Sequence, residues 1–284
     1  MATVVTSPSR GMRRYALPGV LFLLGTIALP LLLLVRVSLC ERGSGFYQSG
    51  TWTLEHYRSL ARFDFVAIAA TTMVYAVVIS LFVTSIGLPV SLWIASRSPR
   101  WQTLLLSLVV LPKFASALAI LFGWQQLLSS AGPFSQLAYR LGVTSEAVPL
   151  NRSPIAAMLA EVSMIVPYAI VVLYAQRLRI DPRLTVVAAG LGASPSQIFA
   201  RVTLPLMIPG IRTVAALGFV WGMGAFLGPS MLAGPDSTTL AVQIHKTAME
   251  SSRWPLAAAQ SVVLLSLVAF VAAAMRFATG RRWR

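Results

Sequence analysis

Six stretches of this chain are long and apolar enough to cross a lipid bilayer as helices: Ala16 to Val35, Phe65 to Ile94, Trp101 to Leu128, Pro154 to Gln176, Leu206 to Met231 and Pro255 to Met275. Each reaches the ~20 mainly apolar residues that span a hydrocarbon core of about 30 Å. Composition agrees, since 57% of the residues are hydrophobic and only 11% charged, against roughly a quarter charged in a soluble domain. The predicted fold class is an all-α polytopic membrane protein with six transmembrane helices, its two termini on the same side.

Charge predicts which side that is. Lys and Arg near the ends of spans mark the cytoplasm. The N-terminus, the second and fourth loops and the C-terminus carry Arg10, Arg13, Arg14, Arg97, Arg100, Arg177, Arg179, Arg183, Arg201, Arg212 and the Arg281-Arg282-Trp283-Arg284 tail, opposed only by Asp181. The remaining loops mix basic residues with Glu41, Glu55, Asp64, Glu146, Asp236 and Glu250. Both termini are therefore expected in the cytoplasm. Arg10 to Arg14 ahead of the first apolar run read as a retained signal anchor. A net charge of +15 raises the question of nucleic acid, but the basic residues are scattered singly along membrane edges, which argues against it. The single cysteine, Cys40, rules out an internal disulfide or cysteine metal cluster. His56 and His245 fall in different predicted outer loops, with no ligand-spaced carboxylates beside them, so neither a metal nor a catalytic constellation is expected.

One polar-capped stretch between spans stands apart: Ile180 to Pro205. Asp181 can cap a helix that starts with Pro182, where a missing N–H costs nothing. Leu191-Gly192 ends it, because glycine accepts the left-handed conformation of a helix C-cap. Ser194 caps a second helix, with Pro195 in its first turn and Gln197 completing a capping box. That second helix must end or kink before Pro205. The stretch therefore predicts two short helices set at an angle about Gly192, in the cytoplasm.

Two charges fall inside spans, Lys113 beside Pro112 and Glu161 ahead of Pro167. Counted at 1.5 Å per residue, Lys113 lies roughly 18 Å from the inner end of its span and Glu161 roughly 11 Å from the outer end of its own. Charges at such depth mark pairs or pathways. A structural Lys113–Glu161 ion pair and a role in solute passage are both open, with Lys113, Trp124, Glu161 and Tyr168 as candidate pathway residues. Pro112, Pro167, Gly123 and Gly132 point to broken or kinked helices, where transporters place their cavities. Gly218, Gly222, Gly224 and Gly228 are spaced for close packing of backbones. Short outer helices are expected around Thr53 to Leu60, capped by Thr53, and around Phe134 to Leu141.

Ala188, Leu191-Gly192-Ala193-Ser194, Val202, Leu204-Pro205 and Pro209-Gly210 together resemble the EAA motif of permease subunits in binding-protein-dependent ATP-binding-cassette importers, closest to the spermidine/putrescine-type branch. The flanks Leu178 to Leu184 and Gly228 to Pro235 agree, as do Leu111-Pro112 and Trp124, so the resemblance runs from about Trp52 onward. It implies a five-helix permease core (type I importer, MetI-like) plus an N-terminal helix: residues 1–63 as N-terminus, first span and outer loop, 64–278 as core, and 279–284 as a basic tail. It also implies that the stretch at about 181–204 couples to an ATPase, through Asp181, Val186, Val187, Ala188, Gly192, Ala193, Ser194, Leu204 and Pro205. Implied partners are two ATPase subunits, a second permease (a heterodimer), an external solute-binding protein and the bilayer, with no cofactor. No phosphate-binding Gly-x-x-x-x-Gly-Lys-Ser/Thr loop occurs, so a separate subunit must burn the ATP. One departure is plain: the motif's Glu falls on Val186 and its first Ala on Val187. A self-sufficient secondary transporter is the alternative, although neither its paired carboxylates nor an inverted repeat is visible.

Overall fold

The structure is a computed structural model describing residues 10–41, 48–142, 149–234 and 237–280. The Gly43-Ser44-Gly45 segment and the Arg281 to Arg284 tail lie outside the described residues, as do Glu146 and Asp236. In chain order the elements are α1 (Arg10–Ser38), β1 (Cys40–Glu41), β2 (Gln48–Trp52), α2 (Glu55–Ser59), α3 (Phe63–Ala95), α4 (Pro99–Val110), α5 (Ala117–Leu127), α6 (Pro133–Arg140), α7 (Pro154–Leu178), α8 (Arg183–Gly190), α9 (Pro195–Ile198), α10 (Leu204–Met223), α11 (Leu227–Leu232), α12 (Leu240–His245) and α13 (Trp254–Gly280). Among the described residues, five helical segments are long and apolar enough to cross a membrane, and six if the bent pair α4–α5 counts as one span.

The break signalled by Pro112 is present in the third span, and the extent of the fifth changes. The third is not continuous: α4 runs into a 3-10 turn at Leu111–Phe114 and α5 leaves it at 95°. Pro112 cannot donate to the α-helical ladder, and Ala115 and Ser116 take extended backbone before α5 begins. The fifth does not reach Met231. It stops at Met223, and α11 is a separate six-residue helix.

The chain divides into two compact units. The first comprises residues 1–62 and 244–266. Within it β1 and β2 pair antiparallel, an element that the all-helical reading lacked. Ser38 and Tyr57 share a 2.7 Å hydroxyl hydrogen bond, and the His56 ring lies 3.0 Å from the Cys40 carbonyl. Thr53 does not cap the short helix: the N-cap is Leu54, without a side-chain cap bond, and Thr53 Oγ1 accepts from the Glu55 N–H at 3.1 Å in the turn before it.

The second unit, residues 63–243 and 267–284, contains both candidate sites. Its centre is α3 packed on α7 and α10, with Tyr75, Ile79, Val83, Ile165, Leu173, Met207 and Val214 fully enclosed or nearly so. The approach is close because glycine permits it. A Cβ on Gly222 would sit 2.5 Å from Ala76 Cα, and one on Gly218 would sit 2.9 Å from Ser80 Cα. Ser80 Oγ closes the seam by donating to the Ala215 carbonyl at 2.8 Å. Small residues that let backbones touch are the usual means of holding helices together where lipid gives no hydrophobic drive.

Candidate functional site

The first candidate is the elbow between α7 and α10. Asp181 Oδ1 accepts from the Arg183 N–H at 2.8 Å. Asp181 is therefore not the N-cap that was expected: Pro182 holds that position without a side-chain cap bond, and Asp181 closes the turn just ahead of α8. At the other end of α8, the Gly192 N–H donates to the Ala189 carbonyl and the Ala193 N–H to the Ala188 carbonyl, at 3.0 and 3.1 Å. Gly192 has φ +83° with no atom near its missing Cβ, so glycine is required there for its backbone and not for space. The capping box is formed as expected: Ser194 Oγ accepts from the Gln197 N–H, while Gln197 Oε1 accepts from the Ser194 N–H at 2.9 Å.

The second elbow helix is shorter than expected. α9 ends at Ile198 and the chain continues through a π-helical turn at Phe199–Thr203 straight into α10. The predicted kink ahead of Pro205 takes the form of this widened turn, closed by the Leu204 N–H on the Phe199 carbonyl, just before Pro205, which has no N–H to give. α9 is therefore rigidly continuous with a span. The elbow presents apolar side chains outward: Val186 is 70% exposed, Val187 60% and Leu191 83%. Ala188 and Ala193 are half-buried, and Leu204 packs as the first residue of α10.

The second candidate lies around α7. Glu161 is 3% exposed. Its Oε2 accepts from Trp221 Nε1 at 2.8 Å and its Oε1 from the Gly228 N–H at 2.9 Å. A Cβ on Gly228 would fall 2.8 Å from Oε1, so this glycine is what lets the backbone reach the carboxylate. The carboxylate thereby ties α7 to the end of α10 and to α11. Lys113 makes no ion pair with Glu161, so the structural pair is overturned. The Trp221 indole takes the carboxylate for itself. The Lys113 ammonium instead donates to the Met164 carbonyl and stands over two rings, 4.6 Å from the Tyr168 centroid and 6.0 Å from that of Trp221. Pro167, inside α7, leaves the Ser163 carbonyl without its i+4 donor, next to the Met164 carbonyl that Lys113 meets. Tyr168 is 48% exposed. Trp124 donates to Ser163 Oγ at 2.9 Å and packs on the core from α5.

Lys113 and Tyr168 are thus brought together, Glu161 joins them only through Trp221, and Trp124, on α5, meets α7 at Ser163. Trp221, Met164 and Gly228 escaped the sequence reading as site residues. A tryptophan in the interior of a span, with an N–H that must find an acceptor, was the available signal.

Replacing Glu161 tests the clamp. Glu161→Leu leaves the Gly228 and Trp221 donors without acceptors, at about 1–3 kcal/mol each. Its thermal unfolding in detergent is expected well below wild type. Glu161→Gln keeps one acceptor and should fall between the two. An unfolding temperature for Glu161→Leu equal to wild type would remove the clamp from the account.

Residues 87–284 match the family described as "Binding-protein-dependent transport system inner membrane component". The chain is 29% identical over 249 residues to the spermidine/putrescine transport system permease protein PotB of Haemophilus influenzae, covering 86% of this chain and 87% of that protein. It is 30% identical over 216 residues to the molybdenum transport system permease protein ModB of Azotobacter vinelandii, covering 74% and 93%. Its fold is similar to that in a crystal structure of a bacterial ABC transporter involved in the import of the acidic polysaccharide alginate, with a TM-score of 0.75 and 19% identity over 94% of this chain and 96% of that one. These likenesses extend over most of the chain, and it belongs to the family of binding-protein-dependent transport system inner membrane components.

Proposed function

We propose that this ABC importer permease subunit forms one half of a translocation pathway for a small organic solute, polyamine-like or related. An external binding protein delivers the solute and two ATPase subunits drive the cycle. Residues 64–278 form the core, the second half comes from another permease in a heterodimer, and both termini face the cytoplasm of a bacterial inner membrane.

The observation that carries this reading is the elbow. It is a cytoplasmic lever: α8 hangs from α7, α9 runs into α10, and Gly192 fixes the angle between them. Its outward Val186, Val187 and Leu191 give an apolar face for a groove in the ATPase. Asp181, Ala188, Ala193, Ser194, Leu204 and Pro205 hold that face in shape. Closure of two ATPases around ATP would then tilt the attached spans as rigid bodies between inward- and outward-facing states. Valine in place of the motif's Glu removes a charged contact, so the docking is proposed to be apolar. The polyamine-like class rests on what the PotB relatives are named for.

The test is accumulation of the solute held by the external binding protein, in vesicles carrying the complete complex or the complex without its ATPases. Accumulation is expected only with the ATPases and ATP present. Accumulation by the membrane subunits alone, driven by an ion gradient, would establish a secondary transporter instead.

A further inference from the structure

We propose that the ring faces of Tyr168 and Trp221, with the Met164 carbonyl, form an alkylammonium subsite on the solute path, and that Lys113 fills it as a tethered stand-in for the cargo. The proposal rests on the reading of a polyamine-like cargo. To that reading it adds the group recognised and the residue that competes for it.

The chemistry of the pocket is that of an ammonium receptor. Two aromatic faces lie within reach of the Lys113 nitrogen, at 4.6 and 6.0 Å, and a backbone carbonyl accepts from it. An aromatic face attracts a cation through the negative face of its quadrupole, and tryptophan does so best. Trp221 is strengthened in this role because its N–H is held by the Glu161 carboxylate at 2.8 Å, which pushes electron density onto the ring. Glu161 thus polarises the indole from behind, and a cargo cation meets the ring face and forms no salt bridge that would hold it.

The occupant has the chemistry of the cargo. A lysine side chain is four methylenes ending in a primary ammonium, the same fragment as the aminobutyl end of a polyamine. Charged side chains inside a span pair with an opposite charge or with backbone carbonyls, and Lys113 takes a carbonyl and two ring faces, the partners that a free ammonium would take. It is also mounted to leave. It sits on the 3-10 turn at Leu111–Phe114, immediately before the extended Ala115 and Ser116 at which the span breaks by 95°. Withdrawing it breaks no continuous α-helical ladder. Tyr168, 48% exposed, keeps the pocket open to an incoming group. Displacement of a tethered ammonium by a free one leaves the site occupied in both states. A cargo held this way is released when the lysine returns, which suits a pathway that must bind and let go.

The experiment uses the complete complex in detergent, with spermidine as the probe and its stabilisation against thermal unfolding as the readout. Wild type, Lys113→Arg, Lys113→Met and Lys113→Met/Tyr168→Ala are compared. Removing a competitor that fills the site most of the time should lower the half-maximal spermidine concentration about tenfold in Lys113→Met. Lys113→Arg, which keeps the site filled, should match wild type, and the double variant should lose the gain. Spermidine binding no tighter in Lys113→Met than in wild type overturns the proposal. So does a gain that survives Tyr168→Ala, since that would be relief of charge repulsion alone. Should Lys113→Met fail to assemble, Tyr168→Ala in the otherwise native complex serves: the half-maximal spermidine concentration, read in the same way, rises severalfold, and an unchanged value overturns the subsite. Binding is read here without ATP. Intact spermidine binding together with failed ATP-driven uptake would count against the importer reading and not against this one.

Discussion

Gly192→Pro abolishes ATP-driven uptake while the membrane subunit still folds and assembles. The expected loss is about 100-fold, the size of a coupling free energy of some 2.7 kcal/mol. Proline fixes φ near −65°, whereas residue 192 stands at +83°, and it removes the N–H that closes α8 on Ala189. The elbow then loses its angle, although no contact in the packed spans is touched. Gly192→Ala, which strains the same φ by about 1 kcal/mol, should give an intermediate loss. Ala188→Lys tests the same surface differently, by placing an ammonium beside Val187 on the apolar face. Both are read in reconstituted vesicles as ATP hydrolysed per solute moved. Hydrolysis is expected to continue at its basal rate without transport, and tight coupling retained in both variants would remove the elbow from the mechanism.

Gly222→Val is the second large effect, and it acts on the fold instead. A Cβ there meets Ala76 Cα at 2.5 Å and the Ala76 nitrogen at 3.1 Å. Both are backbone atoms of α3, so no side chain can swing away. α3 and α10 must separate, and overpacking of this kind costs about 1–3 kcal/mol before the loss of neighbouring contacts. The Ser80 Oγ bond to the Ala215 carbonyl lies in the same seam and weakens with it. The variant should accumulate poorly in membranes and unfold at a markedly lower temperature. Gly224→Ala is the matched control, because the nearest atom to its Cβ is 3.7 Å away. Equal stability of Gly222→Val and Gly224→Ala would refute the packing argument.

These outcomes follow the line between what was legible in the residues and what was not. Caps are local, so Gly192 and the Ser194–Gln197 box could be read directly and form where expected, while Asp181 closes a turn one residue ahead of the actual N-cap, Pro182. The broken third span was signalled by Pro112, but its break at Ala115–Ser116 was not, since neither residue forbids a helix. Depth along a span can be counted from sequence, whereas the direction a side chain faces around it cannot. That is why Lys113 and Glu161 looked like partners at similar depth, yet the indole of Trp221 came to hold the carboxylate. The Glu161 to Gly228 bond joins residues 67 apart, and only the packing of α7 on α11 brings them together. The π turn at Phe199–Thr203 belongs to the same class: proline demanded an adjustment, and tertiary context chose a widened helix over a break.

The central claim is that the elbow lies in the cytoplasm and meets an ATPase. Its most direct test is a single cysteine at Val187, an exposed apolar position of α8, in a chain whose own Cys40 is replaced by serine, probed with a membrane-impermeant maleimide. Inverted vesicles stripped of ATPase should label fully, right-side-out vesicles should not label at all, and rebinding of the ATPase should protect the thiol. Labelling from the outer face, or full labelling with the ATPase bound, would contradict the account.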